Sequence, residues 1–255
     1  MTAVHLVGDT MTLTGRSLKH ITRSVDTVIT TALMPIALLL LFVFVLGGAI
    51  RTGEGSYVDY LLPGILLITV VTGVSYTAYR LFQDLQGGIV DRFRSMPIAR
   101  SAVLWAHVLT SLVANLASVA VVVAVGLLIG FRSPASPLAW LGVAGVLTLF
   151  TLTMTWIAVI PGLTASSVDG ASAFSYPLIL LPFVSSAFVP TASMPGPVRW
   201  FAEHQPVTAI VGTLRSLLAG DAPGDEIWIA LAWCAGILVA AYVAATLVAR
   251  RRFSR

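Results

Sequence analysis

His107 and Ser111 stand one helical turn apart inside an apolar run, the spacing at which an imidazole could activate a serine hydroxyl within a membrane. No Gly-x-Ser-x-Gly turn accompanies them, so His107 reads as a residue that packs or hydrogen-bonds between helices. The sole lysine, Lys19, follows Leu18 and belongs to no Gly-Lys-Ser/Thr loop, which excludes a Walker-type phosphate cradle. Asp26, Asp59, Asp84 and Asp169 fall at the ends of apolar runs or in the loops between them. Ion-coupled carriers instead place carboxylates inside the bundle, where a charge is costly and therefore functional. His5, His20 and His204 lie in separate segments, and Cys234 is the only cysteine, so neither a paired metal-ligand spacing nor an intramolecular disulfide exists. If the chain does work on a substrate, the energy comes from another subunit.

The elements that hold these residues are set by composition. Of 255 residues, 57% are hydrophobic and 10% charged, with a mean hydropathy of +0.93. A soluble domain is about half apolar and a quarter charged, so the bilayer is the relevant solvent. Lys19 and fourteen arginines face eleven acidic residues, for a net charge of +4. The basic residues flank apolar runs, which points to membrane orientation and away from nucleic acid.

Uncharged runs cover 27–50, 60–79, 101–131, 133–168, 170–198 and 227–249. A helix needs about 20 apolar residues to cross roughly 30 Å of hydrocarbon. Breakers at Ser133-Pro134-Ala135-Ser136-Pro137 and Pro161-Gly162 trim the longer runs. The expectation is an all-α integral membrane protein with six spans at 27–50, 60–79, 101–128, 138–160, 170–190 and 227–249. The fifth, with Pro177, Pro182 and Pro190, should be bent or broken and shielded from lipid. The first run is 24 residues long, starts after 26 residues and lacks a small-residue cleavage site, so it reads as a retained anchor. With both termini cytoplasmic, inside segments carry eleven basic residues and outside segments four, as the positive-inside rule requires.

Three segments lie outside the spans. Within 1–26, Met11, Leu18, Ile21 and Val25 oppose Arg16, Lys19 and Arg23, the pattern of an amphipathic helix on the cytoplasmic leaflet. Segment 80–100 mixes Leu81, Phe82, Leu85, Ile89, Val90, Phe93 and Met96 with Asp91, Arg92 and Arg94. An aromatic anchor with a charged rim suits a docking surface; an internally packed loop is the alternative. Segment 191–226 contains an apolar stretch, Val207 to Leu218, interrupted by Arg215, and reads as a re-entrant or interfacial outer helix between spans 5 and 6. Tyr76, Tyr79, Trp105, Asn115 and Phe174 are candidates to line a substrate path, and packing is the competing role for each.

Two blocks carry a resemblance to a known family. One is Asp84-Leu85-Gln86-Gly87-Gly88-Ile89-Val90-Asp91-Arg92-Phe93-Arg94-Ser95-Met96-Pro97-Ile98. The other runs from Ser185-Ser186-Ala187-Phe188-Val189-Pro190 through Met194-Pro195 to Gln205-Pro206-Val207-Thr208. With six spans and an amphipathic N-terminus, they resemble the membrane subunits of type-two ABC exporters, such as the daunorubicin-resistance permeases for drugs or lipids. The resemblance implies a non-catalytic, multi-pass cell-membrane permease that pairs with a second copy, identical or not, and docks on two cytoplasmic ATPase subunits that bind ATP and Mg. It assigns Arg16, Lys19 and Arg23, together with Asp84, Gly87, Gly88, Asp91, Arg92, Phe93, Arg94, Met96 and Pro97, to the ATPase-facing surface. It assigns Phe188 and Pro190 to an outer closure. Gln205 departs from the Asn expected before Pro-Val-Thr. A self-sufficient secondary carrier or channel is the alternative function.

Overall fold

The computed structural model describes residues 25–47, 56–87 and 100–253, and every regular element among them is helical. The N-terminal amphipathic segment with Arg16, Lys19 and Arg23 lies outside the described residues, as do Gly88, Asp91, Arg92, Phe93, Arg94, Met96 and Pro97. The chain runs through α1 (Val25–Leu41), a π-helical turn (Phe42–Leu46), α2 (Tyr57–Gln86), α3 (Arg100–Leu128) and α4 (Pro137–Thr164). It continues through α5 (Val168–Ala173), α6 (Ser175–Leu180) and a 3₁₀ turn (Leu181–Val184), then α7 (Gly196–His204), α8 (Pro206–Ala219) and α9 (Glu226–Phe253).

Among the described residues, four helices are long and apolar enough to cross a membrane: Tyr57–Gln86, Ala102–Leu128, Pro137–Thr164 and Glu226–Arg252. Shorter apolar stretches cover Thr31–Leu46, Val168–Val184 and Pro206–Ala219. The end of the bundle carrying Asp84, Thr164 and Arg252 is termed the inner end, and the opposite one the outer end.

Helix α2 is the axis of the bundle. In its most apolar window 83% of residues are buried, against 17% in α9, so α2 packs on protein while α9 presents Trp228, Trp233, Val239 and Leu247 outward. Every residue from Leu61 to Val71 is buried. Close approach is made by size: a Cβ on Gly73 would sit 2.0 Å from Asn115 Oδ1 and 2.9 Å from Thr31 Cγ2, so glycine lets α2 meet α1 and α3 at once.

Several boundaries differ from the sequence expectation, each for a packing reason. Helix α2 continues past 79 to Gln86 because Leu81 and Phe82 remain buried, so the first residues of segment 80–100 are helical. Its 30 residues rise about 45 Å, longer than the hydrocarbon core. Helix α4 does not stop at Pro161-Gly162 but runs to Thr164, with Gly162 against Ala78 and Leu81 of α2. A proline so near the helix end removes one backbone bond without breaking the helix. The fifth segment is not one helix over 170–190. It is helical from Val168, kinks at Phe174 and ends in a 3₁₀ turn at Val184. The outer segment 191–226 is two helices, α7 and α8, with Gln205 in extended backbone between them.

Towards the inner end, Trp156 of α4 is buried between Trp105 of α3 and Tyr242 of α9, with ring centroids 5.1 and 4.8 Å away, both edge-on. Arg252 donates from Nη1 to the Leu163 carbonyl, which satisfies an acceptor freed at the end of α4. Truncating Trp156 to Ala should therefore destabilise the bundle by about 3–5 kcal/mol, whereas Trp233→Ala on the outward face of α9 should change it by about 0.5 kcal/mol or less. Thermal unfolding of the two variants in the same detergent checks the contrast.

Candidate functional site at the two ends of the central helix

The fifth segment breaks at a Pro-containing turn, Leu181–Val184, and the break exposes carbonyls that lipid cannot satisfy. Gln205, buried at the start of α8, donates from Nε2 to the Leu181 carbonyl at 3.2 Å and to the Val184 carbonyl. Ser185 Oγ donates back to the Pro182 carbonyl at 2.6 Å and accepts from the Ala187 amide at 3.1 Å. The Ser186 amide donates to Thr208 Oγ1, which itself donates to the Ala202 carbonyl between α7 and α8. The residues of the Gln205-Pro206-Val207-Thr208 block thus splint the broken segment.

Beyond the break, the connection 185–190 is seated on α2. A Cβ on Gly64 would lie 2.7 Å from Ala187 Cβ, so the glycine is what admits the loop. The Ser186 carbonyl accepts from Tyr60 Oη at 2.8 Å and from Arg215 Nη2 at 2.8 Å. Arg215 Nη2 also reaches the Tyr60 carbonyl at 3.2 Å, and its guanidinium carbon lies 3.8 Å from the Tyr60 ring centroid. Phe188 stacks on Phe183 with centroids 4.6 Å apart and meets Phe42 of the π-helical turn at 4.9 Å. Phe188 is buried and Pro190 half-buried at the end of this connection. Helix α7 lies to one side with Trp200 and Phe201 exposed. Its Arg199 donates to Glu203 at 2.7 Å, and that hydrogen bond holds the Glu203 carboxyl below the usual range.

At the inner end, His107 Nε2 of α3 lies 3.2 Å from Asp84 Oδ2 of α2. Histidine and aspartate thus join the two helices that frame segment 88–99, with Gly87 exposed at the helix end. One and two turns earlier on α2, the Arg80 guanidinium sits 5.0 Å from the Tyr76 ring centroid, Tyr76 stacks on Tyr79 at 5.6 Å, and Gln83 Nε2 donates to Tyr79 Oη.

The path candidates are not gathered in one place. Tyr76 and Tyr79 share one face of α2; Phe174 is half-buried at the kink between α5 and α6. Trp105 is engaged by Trp156 and Tyr242. Asn115 is buried between helices, donating to the Ser111 carbonyl at 2.9 Å and to Ser111 Oγ at 3.1 Å, while Ser111 Oγ meets Thr77 Oγ1 at 2.5 Å. Trp105 and Asn115 are thus engaged between helices, and Ser111 spends its hydroxyl on Thr77 and Asn115, not on His107. Among the described residues, no three His, Cys, Asp or Glu side chains gather to hold a metal ion. Sequence reasoning missed Tyr60, Arg215 and the splinting by Gln205. The one available signal was the lone arginine in an otherwise apolar helix.

A family model described as ABC-2 type transporter matches residues 9–219. The daunorubicin resistance ABC transporter permease protein of Streptomyces coeruleorubidus is 31% identical over 210 residues, which cover 81% of this chain and 73% of that protein. The probable doxorubicin resistance ABC transporter permease protein of Mycobacterium tuberculosis is 26% identical over 249 residues, covering 96% of this chain and 89% of its own length.

The splint makes a specific demand on the Gln205 amide. Gln205→Leu keeps the volume but leaves the Leu181 and Val184 carbonyls without a donor, which should cost roughly 1–3 kcal/mol. Unfolding in detergent reads the loss, and Gln205→Asn, with its amide drawn back by one methylene, should fall between the two.

Proposed function

The chain belongs to the ABC-2 type transporter family, and from that premise we propose that the uncovered polar face of α2 lines the path of an exported amphipath, drug-like or lipid. The chain is a permease subunit of an ABC exporter and is not itself catalytic; ATP hydrolysis lies in separate subunits. The relatives' names attach daunorubicin and doxorubicin resistance to those proteins, and an amphipathic cargo of that general kind suits the face described next.

The observation that carries the reading is a segregation of surface chemistry. In the inner half of α2, the residues from 72 to 83 that escape burial are Thr72, Ser75, Tyr76, Tyr79, Arg80 and Gln83. They recur at steps of three and four, which places them on a single helix face. Exposed aliphatic and Phe side chains cluster on other helices: Leu33, Met34 and Phe44 on α1 and its π-turn, Val113, Val121 and Leu127 on α3, and Val239, Val243 and Leu247, beside Tyr242, on α9. Lipid favours those faces and disfavours the α2 stripe, so the stripe fits an aqueous path shared with a second permease copy. Thr72 and Ser75 turn their hydroxyls back onto the Ile68 and Val71 carbonyls at 2.8 and 3.1 Å, so these two residues present no orphaned donor to a mainly apolar cargo.

In this reading six segments cross the membrane, with α1 and the broken fifth segment joining the four long helices, α7 and α8 forming a re-entrant outer element, and both termini cytoplasmic. Arg16 to Arg23 and segment 80–100 face two ATPase subunits, which bind ATP and Mg. The Asp84–His107 pair supports a coupling role for this region, because it ties the exit and entry helices of segment 88–99 into one unit. ATP can shift the permease between states only by favouring one of them, and this paired mouth is where such a difference in docking reaches the spans.

Two measurements test the proposal. Arg92→Ala with Phe93→Ala should abolish co-purification with the ATPase subunit while leaving the permease folded in detergent; retained association and substrate-stimulated ATPase activity would remove segment 80–100 from the docking role. Tyr76→Ala and Tyr79→Ala should leave association intact but raise the half-saturating concentration of transported substrate by about fivefold or more, as loss of an aromatic contact requires. An unchanged substrate profile would take the stripe off the path.

A further inference from the structure

We propose that Arg215 is a positioning residue for export: with Tyr60 and Ser186 it latches the outer end of the permease shut, and the latch opens when α2 moves. The proposal rests on the permease reading above and assigns a role to a residue which that reading leaves unused.

Arg215 is the one charged residue of α8, and its neighbours on that helix, Val211, Leu214 and Leu218, are buried and apolar. Arg215 is itself half-buried, so its guanidinium is drawn partly out of water at a cost a leucine would not meet, and a charge in so apolar a helix is a functional feature by default. What holds the guanidinium is uncharged: the Ser186 carbonyl, the Tyr60 carbonyl and the Tyr60 ring. Nε is buried and makes no hydrogen bond. Glu226 packs its carboxylate over Gly212, one turn away on α8, and attracts the guanidinium from there without a direct hydrogen bond to it.

This set of partners suits a reversible contact. A cation locked to a carboxylate would resist separation, whereas one held by carbonyls and a ring exchanges those partners for water when the outer end opens. Releasing such contacts to water costs less than separating a bonded ion pair, which suits a contact that must open and close. The contact also sits where an opening must begin. The Ser186 carbonyl receives both Tyr60 Oη and Arg215 Nη2, and the next residue, Ala187, is the one seated on Gly64. Lifting the connection from α2 breaks the Tyr60 hydrogen bond and the Gly64 contact together, and Arg215, bonded to both Ser186 and Tyr60, must then release one of them. Tyr60 lies near the start of the same helix that ends beside Asp84 at Gln86, one turn before Pro63, so displacement at the inner end reaches the latch along one helix.

The test uses the full permease with its ATPase partner in phosphatidylcholine–phosphatidylglycerol vesicles loaded with carboxyfluorescein. Nucleotide-free dye leak and substrate moved per ATP hydrolysed are both read. Arg215→Met should raise the leak about fivefold or more and lower the transport ratio, the scale of an ordinary allosteric coupling. Arg215→Lys, which lacks the planar fork, should fall between, and Tyr60→Phe, which keeps the ring but loses one donor to Ser186, should be milder. Gly64→Ala leaves the latch residues in place but forces Ala187 off α2, so it should reproduce the leak; it carries the test if Arg215→Met fails to fold. Wild-type leak and transport ratio in Arg215→Met, or a lowered melting temperature with wild-type leak, would overturn the latch. A wild-type complex that moves no solute with ATP would instead overturn the permease reading on which it rests.

Discussion

A backbone carbonyl without a donor inside a bilayer costs several kcal/mol, and the arrangement of this chain's outer half follows from that constraint. The fifth segment cannot finish as a helix, because prolines at 177 and 182 interrupt it and its last turn is 3₁₀. The carbonyls of Leu181, Val184 and Ser186 are then capped by α8, through Gln205 at its start and Arg215 in its middle. Without α8 buried against the bundle, the Leu181 and Val184 carbonyls would lose the Gln205 amide and the Ser186 carbonyl would keep only Tyr60. Without the break there would be no loop to seat on Gly64.

In the proposed mechanism α2 is the member through which both ends of the protein communicate. Its outer end holds the break connection through Tyr60 and Gly64; its inner end carries Asp84, bonded to His107, beside the segment assigned to the ATPase. Between them lies a helix buried on most sides, whose inner half leaves only a polar and aromatic stripe uncovered. A permease must let nucleotide chemistry on one side of the membrane change access on the other. One rigid helix with a distinct bonding set at each end is a direct physical means of doing so.

Much of the fold was legible in the sequence, and the departures have particular causes. Helices α3 and α9 could be read to within a few residues, because uniform apolar runs end at Arg100, Arg132, Glu226 and Arg250. The extension of α2 to Gln86 was hidden by Arg80, Gln83 and Asp84, which read as loop although Leu81 and Phe82 on the other face stay buried. Pro161-Gly162 looked like a stop, but the glycine serves the approach of α4 to α2. The outer closure was legible only as the motif block around Phe188 and Gln205-Pro206-Val207-Thr208. Its key contacts were not: Arg215 reaches Tyr60 across 155 residues and Ser186 across 29, separations at which no periodicity carries a signal. Tyr60 read as one more interfacial aromatic until its ring was found beneath a guanidinium.

The central claim is that this permease moves its cargo only when an ATPase subunit drives it. The direct measurement is transport of an amphipathic dye into inside-out proteoliposomes holding the permease alone, the permease with its ATPase partner, and the permease with a partner whose catalytic glutamate is replaced. Uptake confined to the intact complex and dependent on ATP and Mg is the predicted result. Uptake by the permease alone, driven by an ion gradient or by the solute's own gradient, would contradict it and point to a self-sufficient carrier or channel.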